Sequence, residues 1–207
     1  MSDVRIFELG KDSDKARMIA RLHIVAFPGF FLTQLGESFL TALYQGYIED
    51  DNSGVIVAES IKNRQILGFA AYSKDYSGFY SELKKNHLVK FALCSLSVII
   101  KHPSYIRRLL GAFKKSDEVR RAERYVELSS IGVCSNAQGK GIGGQLVDYL
   151  VSVTNFNEYE YISLETDTID NETANRFYQK RGFKIARKYV TPEGRMMNEY
   201  RYRREAD

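Results

Sequence analysis

Apolar and polar residues alternate over Val4–Leu9, the two-residue period of a strand with one covered face. The period then lengthens. Ala16, Ile19, Ala20 and His23 share one face of a helix predicted over Asp14–Phe27, with Ser13 as its N-cap and Pro28-Gly29 as its stop. Leu35, Phe39, Leu43 and Tyr47 mark a second helix from about Gln34 to Ile48. Val55–Glu59 and Ile66–Tyr72 read as a hairpin turned at Lys62-Asn63-Arg64. Two helices, Tyr80–Ile100 and Ser104–Lys115, follow on either side of His102-Pro103. Beyond them come a strand (Arg124–Val133), a helix (Gly143–Asn155), a strand (Tyr159–Glu165) and a helix (Glu172–Arg181). A last hairpin, Phe183–Tyr189 with Arg195–Arg203, turns at Pro192-Glu193-Gly194. One β-α-β crossover among hairpins predicts an α+β fold. Its central sheet is mixed and mostly antiparallel, has helices on both faces, and takes a helical insert between the third and fourth strands.

The length of 207 residues suits a single domain, 1–207, with the insert at about 76–118 as its elaboration. Cys94 and Cys134 are too few for a disulfide framework or a four-cysteine zinc site, and His23, His87 and His102 have no ligand spacing, so no metal is expected. The N-terminal 15 residues lack the apolar core of a signal peptide, and Leu88–Ile100, broken by Lys90, is too short to span a bilayer. A cytoplasmic protein is expected. Charge sharpens the picture. Between Leu83 and Ser116 lie eight Lys and Arg and no Asp or Glu, against 30 and 26 in the whole chain, so the remainder is net acidic by four. Such an insert could overhang a substrate, rest on anionic lipid, or form a homodimer surface. It carries no motif that reads nucleic acid, and none is expected as a partner.

The chemistry concentrates in Gln138-Gly139-Lys140-Gly141-Ile142-Gly143-Gly144, between a strand and a helix. A helix start exposes free N–H groups and the positive end of the macrodipole, and glycines let a phosphate approach the backbone. The spacing is neither that of a dinucleotide fingerprint nor that of a Walker loop. It suits a pyrophosphate, with Lys140 adding a charge.

The run Gln138–Gly143 resembles the Q/R-x-x-G-x-G/A signature of the GNAT superfamily of N-acetyltransferases. Asn171-Glu172-Thr173-Ala174-Asn175-Arg176-Phe177-Tyr178-Gln179-Lys180-Arg181-Gly182-Phe183 resembles the second motif of that family, in the expected order. The resemblance implies acetyl-CoA as cosubstrate, held by Gln138, Gly139, Lys140, Gly141, Ile142, Gly143 and Gly144, with the pantetheine arm beside Ile131 and Val133. It places the general acid at Tyr178. At i, i+4, i+7 Asn171, Asn175 and Tyr178 share a helix face that could line the cofactor. A catalytic Glu at a similar offset in the protein-lysine branch makes Glu127, eleven residues before Gln138, the candidate base. Glu165 and Asp167 stand in reserve. Alternation puts Tyr125, Glu127, Ser129 and Ile131 on one face unless a bulge intervenes. Cys134 is expected to be inert.

Acyl transfer needs a deprotonated amine, and an alkylamine has a pKa of ~10.4, so a base is required at neutral pH. The acceptor expected is a small primary amine such as an amino sugar or nucleotide-linked amino sugar, bordered by the aromatic segment Phe27–Thr33. Peptide acetylation and a non-catalytic CoA-binding role remain open alternatives.

Overall fold

The structure, a computed structural model of the chain, describes residues 3–11, 14–83, 85, 91 and 123–204. Its strands are β1 (Val4–Glu8), β2 (Ser53–Ser60), β3 (Ile66–Ser73), β4 (Tyr125–Val133), β5 (Tyr161–Asp167), β6 (Lys184–Val190) and β7 (Met196–Tyr202). They form one sheet in the order β1-β2-β3-β4-β5-β7-β6. Every neighbouring pair is antiparallel except β4 with β5, which the crossover helix makes parallel. The fold is the mixed, mostly antiparallel α+β sheet that the alternation predicts.

The helices are α1 (Asp14–Ala26), α2 (Phe31–Gln34), α3 (Glu37–Glu49), α4 (Ile142–Val153) and α5 (Glu172–Lys180). The helix expected from about Gln34 to Ile48 is α3; it starts at Glu37 because Gly36, its N-cap, takes a positive φ of 91° that breaks the turn before it. Residues 76–83 are helical. The rest of the expected insert helices, and the Ser13 cap, lie outside the described residues. Leu83 and Phe91 are buried, and Phe91 packs its ring on Phe39 of α3 at 4.8 Å.

Strand alternation sorts the core into two layers. Val55, Val57, Phe69 and Ala71 face α1 and α3. Ile56, Ala58, Ala70, Val126, Leu128, Ile162 and Leu164 face the other way, against Ile142, Leu146 and Leu150 of α4 and Tyr178 of α5. Among the described residues no helix is long and apolar enough to cross a membrane.

Two irregularities position the site. First, β4 carries a bulge. Leu128 opposes Tyr72 and Ser130 opposes Ala71, leaving Ser129 as an extra residue. The expected common face is therefore split. Glu127, opposite Ser73, shares the α1/α3 side with Phe69 and Ala71, whereas Ile131 opposes Ala70 and packs on the α4/α5 side. Second, β4 and β5 pair only through Tyr125–Tyr161, Val126–Ile162 and Glu127–Ser163. Beyond this point the bulge deflects β4 and the two strands part.

Candidate active site

The parting of β4 and β5 opens a cavity of about 620 Å³ through the sheet. Its inner walls are Leu128–Ile131 and Val133 of β4, and Glu165 and Thr166 of β5. One mouth is framed by Gln138, Gly139, Gly141, Ile142 and Gly143 together with Asn171, Phe177 and Tyr178 of α5. The other is framed by His23, Ala26, Phe27, Phe30 and Leu32. A tunnel with a helix N-terminus at one end and an aromatic mouth at the other can hold a long ligand and a second reactant that meets it inside.

The glycine loop is built by backbone conformation. Gly139 and Gly141 have φ of 75° and 77°, and a Cβ at either would meet no atom within 4 Å. Torsion, not crowding, therefore requires glycine at both places. Gly141 caps α4 without a side-chain hydrogen bond, so the first N–H groups of that helix face the loop's concavity. Gln138 does not reach outward; its Nε2 donates to the carbonyl of Val133 at 3.3 Å and ties the loop to β4. Gly144 serves packing, since a Cβ there would overlap the Arg181 guanidinium, which forks onto Asp148 at 2.7 and 2.6 Å. Neither Gly144 nor Lys140 lines the cavity.

Main-chain groups of β4 are available on the open side. The Cys134 N–H bonds Leu67 O of β3 at 2.8 Å. Ladder alternation then turns the N–H groups of Gly132 and Cys134 toward β3 and those of Ile131 and Val133 away from it, into the gap that β5 has left. Gly132 lets α1 close on this strand, since a Cβ there would crowd Phe69 at 2.8 Å and Ala26 at 3.1 Å. The Cys134 thiol bonds Ile66 O at 3.6 Å, and burial pushes its pKa up, which keeps it protonated and unreactive.

Tyr178 sits at the cavity wall, 8% exposed, with its ring against Phe177, Phe183 and Tyr200 at 5.2, 5.8 and 5.9 Å. Burial raises its phenol pKa, so the group is neutral and a hydrogen-bond donor at working pH. Asn171 shares this wall and donates to Thr166 Oγ1 at 2.6 Å. Asn175 does not reach the cavity. Its amide donates to the carbonyls of Asp167 and Asn171 and accepts from Asn198 Nδ2 and Tyr200 Oη, and so ties α5 to β5 and β7.

The carboxylates separate by position. Asp167 is gripped by Arg195 through a fork at 3.0 and 2.6 Å. Glu199, fully buried, lies between Arg187 and Arg201 at 2.6 and 2.8 Å. Glu165 lines the cavity, lies 3.8 Å from Arg187, and accepts a hydrogen bond from the Tyr189 hydroxyl. Glu127 is outside the lining but on the same sheet face, where its charge helps to raise the pKa of Tyr76, Tyr80 and Tyr189. His23 is the site residue that sequence reasoning passed over; its helical face had marked it as core, and nothing in the spacing says that this face ends at a tunnel.

The described residues bring no three His, Cys, Asp or Glu side chains together as a metal set. Residues 17–183 match the acetyltransferase (GNAT) family. A search of curated proteins gives no significant match. Solved structures share the fold. An N-acetyltransferase from Staphylococcus aureus aligns over 98% of this chain and 99% of its own, with TM-score 0.61 and 17% identity. A Corynebacterium glutamicum protein described as histone acetyltransferase HPA2 and related acetyltransferase aligns over 98% of each chain, with TM-score 0.62 and 16% identity. NAA60 of Arabidopsis thaliana, solved with acetyl-CoA, aligns over 97% of this chain and 98% of its own, with TM-score 0.60 and 13% identity. With a glycine-capped helix at the mouth of a split sheet and a family match across most of its length, this chain belongs to the GNAT family of acetyltransferases.

Proposed function

We propose that the protein transfers an acetyl group from acetyl-CoA directly to a primary amine on a small molecule such as an amino sugar or nucleotide-linked amino sugar. One observation carries the reading. The gap between β4 and β5 joins the glycine-capped N-terminus of α4 to the Tyr178 hydroxyl and to a second, aromatic mouth in one continuous cavity. The residues fit the cosubstrate. The α4 N-terminus and the loop amides offer donors to a pyrophosphate, and the N–H of Val133 offers a donor to an amide carbonyl of a pantetheine arm. Acetyl-CoA, when bound, supplies an activated acyl group.

The chain then has three tasks. The N–H of Ile131, directed into the gap, hydrogen-bonds the carbonyl oxygen as negative charge develops there. Tyr178 donates to the departing sulfur; free thiols have pKa of about 8.5, and the neutral phenol supplies the hydrogen bond and then the proton as the C–S bond breaks. The amine proton leaves toward a carboxylate, Glu165 in the cavity wall or Glu127 on the same sheet face. The aromatic mouth of Phe27 and Phe30, in edge contact at 5.2 Å, suits the apolar face of a sugar ring. A peptide acceptor is the second reading, favoured by the shared fold of NAA60, which is also solved with a bisubstrate analogue.

The test is thiol release from acetyl-CoA against amino sugars, nucleotide sugars, polyamines and peptides. Turnover confined to peptides would select the second reading. Coenzyme A binding with no turnover on any amine would sink both. Tyr178→Phe should lower kcat about tenfold to a hundredfold with the acetyl-CoA Kd near wild type.

A further inference from the structure

The fold leaves a buried polar atom without a partner at the cavity wall. Among the described residues, His23 Nε2 is buried and has no hydrogen-bond partner, and His23 lines the cavity. Native folds rarely strand such a group, and one beside a cavity points to a ligand that completes it.

His23 is held in one orientation. The residue is 3% exposed, and its ring lies 4.8 Å from Phe27, 5.8 Å from Tyr44 and 6.3 Å from Phe69. Its Nδ1 is 2.6 Å from the Tyr44 hydroxyl. Tyr44 is fully buried, burial keeps its phenol protonated, and the Ser130 hydroxyl is its neighbour on the other side. Ser130 is on this face because the bulge at Ser129 puts it opposite Ala71. A phenol that donates to Nδ1 leaves the single proton of the neutral imidazole on Nε2, and a phenol that accepts from Nδ1–H leaves Nε2 an acceptor. In both tautomers the buried Nε2 has no partner among the described residues, and a hydroxyl, which donates and accepts, matches either.

We propose that His23 is a specificity residue for the acetyl acceptor: its Nε2, oriented by the hydrogen bond between Nδ1 and Tyr44, pairs with a hydroxyl that the acceptor carries beside its amine. The inference rests on the acetyl-transfer reading and narrows its substrate class to hydroxylated amines. A site with an oriented buried ring nitrogen discriminates strongly against an analogue that lacks the matching hydroxyl, because the nitrogen is then stranded.

The experiment pairs substrates with variants. kcat/KM is measured for the best amino-sugar acceptor and for analogues lacking one hydroxyl at a time, in the wild type, His23→Phe, His23→Gln and Tyr44→Phe. The wild type should lose about tenfold or more on one deoxy analogue. His23→Phe should reduce that ratio to below about threefold with the acetyl-CoA Kd unchanged, and His23→Gln, whose amide can donate or accept, should retain part of it. A merely structural histidine would alter melting temperature and leave the ratio alone, so a wild-type ratio in folded His23→Phe overturns the proposal. So does an acceptor preference blind to every hydroxyl. Should His23→Phe fail to fold, Tyr44→Phe decides: the ratio falls if the ring must be oriented, and an unchanged ratio overturns the assignment. Wild-type protein that binds coenzyme A and acetylates nothing removes the catalytic reading and this inference together, whereas turnover with an insensitive ratio removes this inference alone.

Discussion

At the scale of single residues, burial decides which groups titrate and which stay fixed. Desolvation lowers the His23 pKa from 6.5 to about 4. The unfolded chain takes up this proton below pH 6.5 and the native protein does not until about pH 4, so the contribution is complete above 6.5 and is lost as pH falls toward 4. The full loss is about 3 kcal/mol. Denaturant unfolding at pH 7 and pH 4.5 should show a smaller acid-induced loss in His23→Phe than in wild type, and equal losses would place the acid sensitivity elsewhere. The two carboxylates differ by position in the same way. Glu165→Gln, in the cavity wall, should lower kcat/KM at neutral pH about tenfold to a hundredfold and flatten the acid limb of the pH–rate profile. Glu127→Gln, one step back, should cost less; the reverse order would move the proton acceptor to β4.

At the scale of elements, backbone geometry matters more than side-chain identity. Gly141 combines a φ of 77° with the cap position of α4. Gly141→Ala should cost about 1–2 kcal/mol of stability and weaken coenzyme A binding at least tenfold by isothermal titration. Gly144→Ala displaces only the Arg181 side chain and should leave that affinity within about threefold. A shared effect would show that both glycines serve the ligand. The strands were legible because covered faces impose a period of two, and the loop because four glycines in six residues leave few uses for such a junction. The bulge was not legible from period alone; the doubled Ser129-Ser130 interrupts alternation without saying which residue is extra. The internal bonds of Asn175 were hidden for a related reason. Its helical spacing matched Asn171 and Tyr178, but its partner Asn198 comes from a strand 23 residues away, and only the closed sheet brings the two together. The break at Gly36 was equally hidden, because apolar residues keep helical spacing across it.

At the scale of the molecule, β1–β4 with α1 and α3 form one half and β5, β7 and β6 form the other. Three residue pairs between β4 and β5 join them in the sheet. With so short a seam, a ligand bound in the gap would act as a structural member. A pantetheine arm lying between Leu128–Val133 and Leu164–Asp167 would stitch the two half-sheets where the polypeptide does not. Melting temperature should then climb with acetyl-CoA concentration as binding linkage requires. Amide hydrogen exchange should slow in those two segments ahead of the outer strands β1 and β6. Protection spread evenly over the sheet would mean that the halves already behave as one body. If the seam does loosen when empty, catalytic order follows from mechanics: the enzyme assembles its own acceptor mouth only after the cosubstrate has closed the split, and the acetyl donor binds first.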